Sequence, residues 1–270
     1  MSSTTALEVP PTTTVAARGV PQAIPFSRVV SVELRKMFDT RSGFWLLASI
    51  GITALIATGA VIAFAPDSEL TFETFATAIG FPIAVILPMI AILSVTSEWS
   101  QRSGLTTFTL VPHRGRVIAA KALCSVAIGV ASMVVALVVG ALGNLVGTAI
   151  TGTDTVWNLG VVDFALIVLA NVLGLLIGFM LGVVIRNSAG AIVAYFVYSL
   201  VLPSVFGMLA AFQGWFRDLQ GWVNFNFAQT ALFDGPLDGT QWAHLVVSSL
   251  IWLVAPLAVG LALLLRSEVK

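Results

Sequence analysis

A chain of 270 residues that is 58% hydrophobic, only 10% charged and formally neutral lies far from the soluble average of about 25% charged residues. A soluble core cannot hide that much apolar side chain, and a chain with no surplus of Lys and Arg cannot displace the counterions of a nucleic-acid backbone. The single cysteine, Cys124, falls in an apolar run and excludes both an intrachain disulfide framework and a cysteine metal cluster.

Residues 1–25 are rich in Thr, Pro and Ala and lack the apolar stretch of a secretory signal peptide, so a disordered cytoplasmic tail is expected there. Residues 26–41 follow a helical period. Phe26, Val29, Val30, Leu34 and Met37 fall on one side, and Arg28, Ser31, Arg35 and Asp39 on the other. This predicts an amphipathic connecting helix along the inner membrane surface. Glu33 falls inside the apolar arc, where an unpaired carboxylate is costly, so it needs a cation or a partner protein. Anchoring by Arg and Lys at anionic headgroups explains most of the segment.

From residue 42 to 270 the sequence predicts one membrane domain. Its uncharged intervals are 42–66, 74–97, 122–153, 164–185, 187–216 and 239–265. Each holds the roughly 20 residues that cross about 30 Å of hydrocarbon as a helix. The expected fold class is therefore all-α and polytopic, with six transmembrane helices and both termini cytoplasmic. With the ends inside, Arg18, Arg28, Arg35, Lys36, Arg41, Arg102, Arg114, Arg116, Lys121, Arg186, Arg266 and Lys270 all face the cytoplasm, and only Arg217 lies outside. Asp67, Glu69, Glu73, Asp154, Asp218, Asp234 and Asp238 fall at or beyond the outer ends.

Pro82 and Pro88 in the second span, Pro203 in the fifth and Pro256 in the sixth predict kinks or freed carbonyls. In the fourth span Gly174, Gly178 and Gly182 recur every four residues with Asn171 on the same face, a pattern that lets another helix approach closely. Packing inside the bundle is the favoured use of this face, and a seam between subunits the other. The outer segment 213–241 mixes Trp215, Phe216, Trp222, Phe225 and Phe227 with polar residues. That mixture suits an interfacial aromatic belt, favoured slightly over a re-entrant substrate gate.

Between the second and third spans, Glu98 to Lys121 is longer than a connection between adjacent helices requires. Gly104 relieves the backbone, Pro112 stops regular helix, and Leu105, Phe108 and Val111 supply apolar anchors. Here the chain resembles the permease subunit of type-2 ABC exporters. In that family an acidic residue ending the second helix is followed by a Gly-Thr/Leu step, a Pro, and a Lys opening the third helix. Glu98, Gly104, Leu105, Pro112 and Lys121 occupy those positions, and Glu33-Leu34-Arg35-Lys36 with Arg41 resembles the family's connecting helix. Trp99-Ser100-Gln101 departs from the pattern, since family members usually carry charged residues there.

The resemblance implies a coupling helix around 98–111, with Glu33, Glu98, Arg102, Gly104, Leu105 and Phe108 transmitting force from an ATPase. Arg102 would meet acidic groups on that subunit, Leu105 and Phe108 would seat in its groove, and Lys121 is expected to anchor the third span to lipid phosphates. It further implies cytoplasmic ABC ATPase subunits, a second permease copy or paralogue and membrane lipid as partners, in a bacterial-type cytoplasmic membrane.

The chain has no Gly-x-x-x-x-Gly-Lys-[Ser/Thr] phosphate cradle, so ATP is expected on a partner subunit, with no cofactor and no enzymatic activity on this chain. No charged residue falls near mid-span, which weakens an ion-coupled carrier. The histidines, His113 and His244, cannot pair around a haem within the membrane. The expected function is export of a drug, lipid, peptide or other amphipathic substrate; an ion-coupled carrier and a non-transporting scaffold subunit are the alternatives.

Overall fold

A computed structural model describes residues 24–100 and 114–266. Among them the chain is helical, with no β-strand beyond one isolated bridge, Thr71 to Val156. The helices are α1 (Phe26–Asp39), α2 (Arg41–Phe64), α3 (Phe72–Ser100), α4 (Arg114–Thr151), α5 (Val161–Ile185), α6 (Ser188–Phe212), α7 (Gly214–Val223), α8 (Phe225–Thr230) and α9 (Gly239–Arg266). Six of them, α2 to α6 and α9, are long and apolar enough to cross a membrane. By length and composition this is a multi-pass membrane protein.

Helix ends differ from the uncharged intervals by only a few residues, except at the start of the third span. There α4 runs from Arg114, eight residues before the apolar interval opens at residue 122, so Arg114, Arg116 and Lys121 all lie on helix. A charge interrupts an apolar run without interrupting the backbone ladder, because Arg and Lys are good helix formers.

The bundle is centred on α3, which packs against α2, α4, α5 and the first half of α6. Its face of Ile79, Ile83, Leu87, Ala91 and Val95 is fully or almost fully buried. Pro88 lies within it. A proline cannot donate to the carbonyl four residues back; that carbonyl, on Ala84, accepts instead from the Tyr195 hydroxyl at 3.3 Å.

At one end of the bundle the Thr71–Val156 bridge joins two loops, reinforced by Asn144 Nδ2 donating to the Val156 carbonyl at 2.9 Å and Asn158 Nδ2 donating to Glu73 Oε2 at 2.9 Å. At the other end, Arg116 donates to the Ile24 carbonyl and Arg114 to the Leu264 carbonyl. The start of α1 and the end of α9 therefore share that end.

Two residues, Arg186 and Asn187, connect α5 to α6. Arg186 closes α5 in the left-handed region at φ 55°, and Asn187 Oδ1 accepts from Gly190 N at 2.9 Å to cap α6. Replacing Asn187 with Ala is expected to cost about 1 kcal/mol, read as a lower melting temperature in detergent at unchanged helix content.

Both α6 and α9 contain a π-helical turn, at Val197–Val201 and Leu250–Val254. The turns bring Tyr198 and Trp252 together, ring centroids 5.9 Å apart, and Trp252 Nε1 donates to the Val223 carbonyl at 2.7 Å. The extra residue in each helix rotates an aromatic toward the other.

The segment 213–241 departs from a simple interfacial belt. Trp215 and Phe227 are exposed, but Phe225, Ala228 and Leu232 are buried against α5 and α9. Gln229 Nε2 donates to the Ala170 carbonyl at 2.7 Å. Ala170 is nine residues into α5, so this contact lies about 14 Å along that helix from its start. Backbone enters at that depth because α8 satisfies its own amides as helix and is covered by protein.

Candidate functional site

At the end of the bundle where α1 lies, four charged side chains meet among the described residues. Glu33 comes from the buried face of α1, between Val29 and Met37; Glu98 from the last turn of α3; Lys121 from the second turn of α4; Lys36 from α1, one turn after Glu33. Lys36 Nζ lies 2.8 Å from Glu33 Oε1 and 3.0 Å from Glu98 Oε1. Lys121 Nζ lies 2.6 Å from Glu33 Oε2 and 3.1 Å from Glu98 Oε1. It also donates to the Ser94 carbonyl at 2.9 Å.

The side chains of Glu33, Glu98 and Lys121 are only 4%, 2% and 3% exposed, whereas that of Lys36 is 39% exposed. This difference sets their roles. Three charges are withdrawn from solvent and each must be neutralised inside the protein. An ammonium has three N–H groups; those of Lys121 find two carboxylates and a carbonyl. Lys36 closes the ring from the accessible side. Its partial burial opposes the charge, but the hydrogen bonds and fields of Glu33 and then Glu98 outweigh that and hold its pKa above the ordinary lysine value. Because the folded value is raised, its contribution to stability is fully present below the unfolded lysine pKa of about 10.4 and is lost as pH rises beyond the folded value.

Above the cluster a cavity of about 360 Å³ opens between α2 and α3, with α1 below. Glu33, Lys36, Glu98 and Lys121 form its charged floor, and Leu46, Leu47, Ile90 and Leu93 its apolar walls.

The structure therefore brings two of the six residues expected to couple to an ATPase, Glu33 and Glu98, to one point. Arg102, Gly104, Leu105 and Phe108, together with Pro112 and His113, lie outside the described residues. The expectation that Lys121 anchors the third span to lipid phosphates is corrected: it is buried and bound to two carboxylates. Its neighbours in sequence look like a basic, lipid-facing stretch, but helix phase turns Lys121 inward with Val117, Ala120 and Cys124, all buried. The signal available beforehand was the misplaced Glu33, which required a cation that sequence alone could not assign.

The faces of α1 also differ from the expected arc. Val29, Glu33 and Met37 are buried, Val29 and the partly buried Val30 packing against Val117 and Ala120 of α4, while Phe26 and Leu34 are each 38% exposed.

The small-residue face of α5 meets α3 at two points. A β-carbon at Gly178 would stand 2.7 Å from the Pro88 carbonyl oxygen and 2.9 Å from its Cα; one at Gly182 would stand 3.2 Å from Val95 Cβ and 3.3 Å from the Ile92 carbonyl oxygen. At Gly174 the neighbour is Gln229 Nε2, 3.3 Å away, and belongs to α8. Asn171 is buried and donates to the Ile167 carbonyl at 2.9 Å; its Oδ1 has no hydrogen-bond partner among the described residues.

No protein-family model matches this sequence, and comparison with curated proteins finds no significant match.

Proposed function

We propose that this chain is the permease subunit of an ATP-driven exporter of the type-2 ABC kind, acting with separate ATPase subunits and a second permease copy or paralogue in a bacterial-type cytoplasmic membrane. The observation supporting this reading is the charge cluster. It joins the helix that precedes the first span to the end of the second span and the start of the third. The last two of these elements flank the segment that would receive an ATPase, and in this reading the cluster lies at the cytoplasmic end of the bundle.

A force applied between Glu98 and Lys121 would be delivered to α1, α3 and α4 together, because the four charges cannot part without leaving buried charge unpaired. Two packings of the bundle that keep the cluster intact would serve as inward-open and outward-open states. Amphipathic drugs, lipids or peptides suit the apolar interior as cargo.

A proton-coupled carrier also uses buried carboxylates beside a cavity. Here each carboxylate already contacts both ammonium groups, so neither stands unpaired beside the cavity.

The test is purification of the tagged chain from mild detergent, with mass spectrometry of what accompanies it, for the wild type and for Glu98→Ala and Gly104→Trp at matched membrane abundance. The expected result is an ABC ATPase recovered with the wild type and reduced at least tenfold, about 1.4 kcal/mol of association, in the variants. A wild-type complex without any ATPase, from membranes in which other ABC complexes survive, overturns the reading.

A further inference from the structure

We infer that a second cavity, enclosed by the later half of α6, the α7–α8 segment and the start of α9, binds a neutral sugar ring, its hydroxyl groups paired with side-chain amides and its C–H face against Phe227. This cavity, of about 330 Å³, lies at the end of the bundle opposite the charge cluster and falls within the range of about 300–1,000 Å³ of small-molecule sites. What marks it as a site is Asn224. That residue is only 5% exposed at the break between α7 and α8, and its Oδ1 accepts from Phe227 N at 3.2 Å to cap α8. Its Nδ2 bonds to no protein atom among the described residues and is not sealed inside the fold, so it opens on the cavity that Asn224 lines. A withdrawn amide donor is costly to leave unmatched, and a guest hydroxyl supplies the acceptor.

The rest of the lining narrows the class. Gln220 and Asn226 make no side-chain hydrogen bond among the described residues, and Gln241 spends its Oε1 on Asp238 N and leaves its Nε2. His244 is held edge-on against Trp222, ring centroids 4.5 Å apart, with neither ring nitrogen bonded among the described residues. An amide carries a donor and an acceptor side by side, and a neutral imidazole carries one of each. Vicinal hydroxyls are their complement, since each both donates and accepts. Among the described residues no Lys or Arg lines the cavity and Asp234 does, which disfavours an anion. A cation would face the Asn224 donor, and an apolar guest would bury the amides unpaired. A peptide pairs through its backbone along a free sheet edge, whereas the lining here is helix and turn. Phe227, 48% exposed, and Pro203 give an apolar wall for ring C–H groups. The inference concerns binding alone and holds whether or not the chain exports anything.

The full chain, in nanodiscs of synthetic phosphatidylglycerol and free of sugar-bearing detergent, is titrated by saturation-transfer NMR with methyl glucoside, methyl galactoside, glucuronate, choline and a blocked dipeptide. The expected result is saturable binding of a methyl hexoside with a Kd on the order of 1 mM, at least tenfold tighter than the other three classes. Affinity is modest because each amide–hydroxyl bond replaces bonds to water. Gly207→Leu adds a side chain at a lining position where a β-carbon meets no atom within 4 Å, and is expected to abolish binding in a folded protein. Asn224→Ser keeps a hydroxyl cap on α8 but removes the amide donor, and binding is expected to fall about tenfold at unchanged helix content. Glucosyl diacylglycerol in the disc that competes the hexoside away assigns the sugar to a lipid headgroup; hexoside binding unmoved by it assigns a soluble sugar, and either result supports the site. Hexoside binding that persists in both variants overturns the inference. So does equal binding of choline, glucuronate or the dipeptide, or no saturation by either hexoside up to about 50 mM, fifty times the expected Kd.

Discussion

Replacing Lys121 with Met is expected to destabilise the protein by about 3–5 kcal/mol, the range for breaking a buried ion pair by removing one partner. The cost does not come from the pair energy alone. Met fills much of the lysine volume, but it takes an ammonium from both Glu33 and Glu98, which stay almost fully buried beside the partly exposed Lys36, and it takes a charged donor from the Ser94 carbonyl. The cluster loses one unit of positive charge. The measurement is the melting temperature in a single mild detergent, with helix content by circular dichroism before heating. Glu33→Gln combined with Lys121→Met restores the charge balance and is expected to recover a substantial part of the loss, because replacing both partners of a buried pair is far cheaper than removing one. A Lys121→Met protein that melts at the wild-type temperature would show that the cluster is not a structural constraint.

Alanine at Gly178 is expected to cost about 1–3 kcal/mol, the usual penalty for overpacking, whereas alanine at Gly174 is expected to be near neutral. All three glycines share a helix face, and in an unpacked helix each substitution would favour Ala by about 1 kcal/mol. What separates them is the identity of the atom each new methyl meets. At Gly178 it is the α3 backbone at Pro88, which can retreat only by moving the central helix of the bundle. Gly182 meets Val95 Cβ and the Ile92 carbonyl at slightly longer range and should lie between the two. Gly174 meets the end of the Gln229 side chain at 3.3 Å, and a flexible side chain can yield the few tenths of an ångström required while keeping its bond to the Ala170 carbonyl. The three melting temperatures, measured side by side, check the order 174 above 182 above 178. Gly174→Ala melting below Gly178→Ala would refute the assignment of the α3 contact.

Pro88 carries a second consequence of the same contact. Its ring leaves the Ala84 carbonyl without a helical donor, and Tyr195 of α6 supplies one. The proline thus appears in the sequence as a helix breaker, while in the bundle it lets α5 approach at Gly178 and attaches α6 one turn away. Periodicity reports neither event, because both depend on which residues of distant segments come to lie opposite Pro88.

Helix content, the six spans and, apart from the start of the third, their ends to within a few residues were legible along the chain, because a span is decided by local apolar content over about 20 residues. The unusual position of Glu33 was legible for the same reason, as a carboxylate breaking an apolar arc. The partners of that carboxylate were not. Lys121 is 88 residues from Glu33 and Glu98 is 62 residues from Lys36, and no local pattern selects those cations from the other basic residues clustered in the same loops. Tertiary packing made the choice by the phase of α4, which turns Lys121 inward and leaves Arg114 and Arg116 to bond backbone carbonyls at its rim. Likewise segment 213–241 read as an aromatic belt from its composition, and only the space between α5 and α9 decided that Phe225, Ala228 and Leu232 enter the bundle while Phe227 stays exposed. Local composition determined which segments belong in a membrane; where buried charges find their counterions is a long-range condition, since it is met only when helices far apart in sequence are held within hydrogen-bond distance.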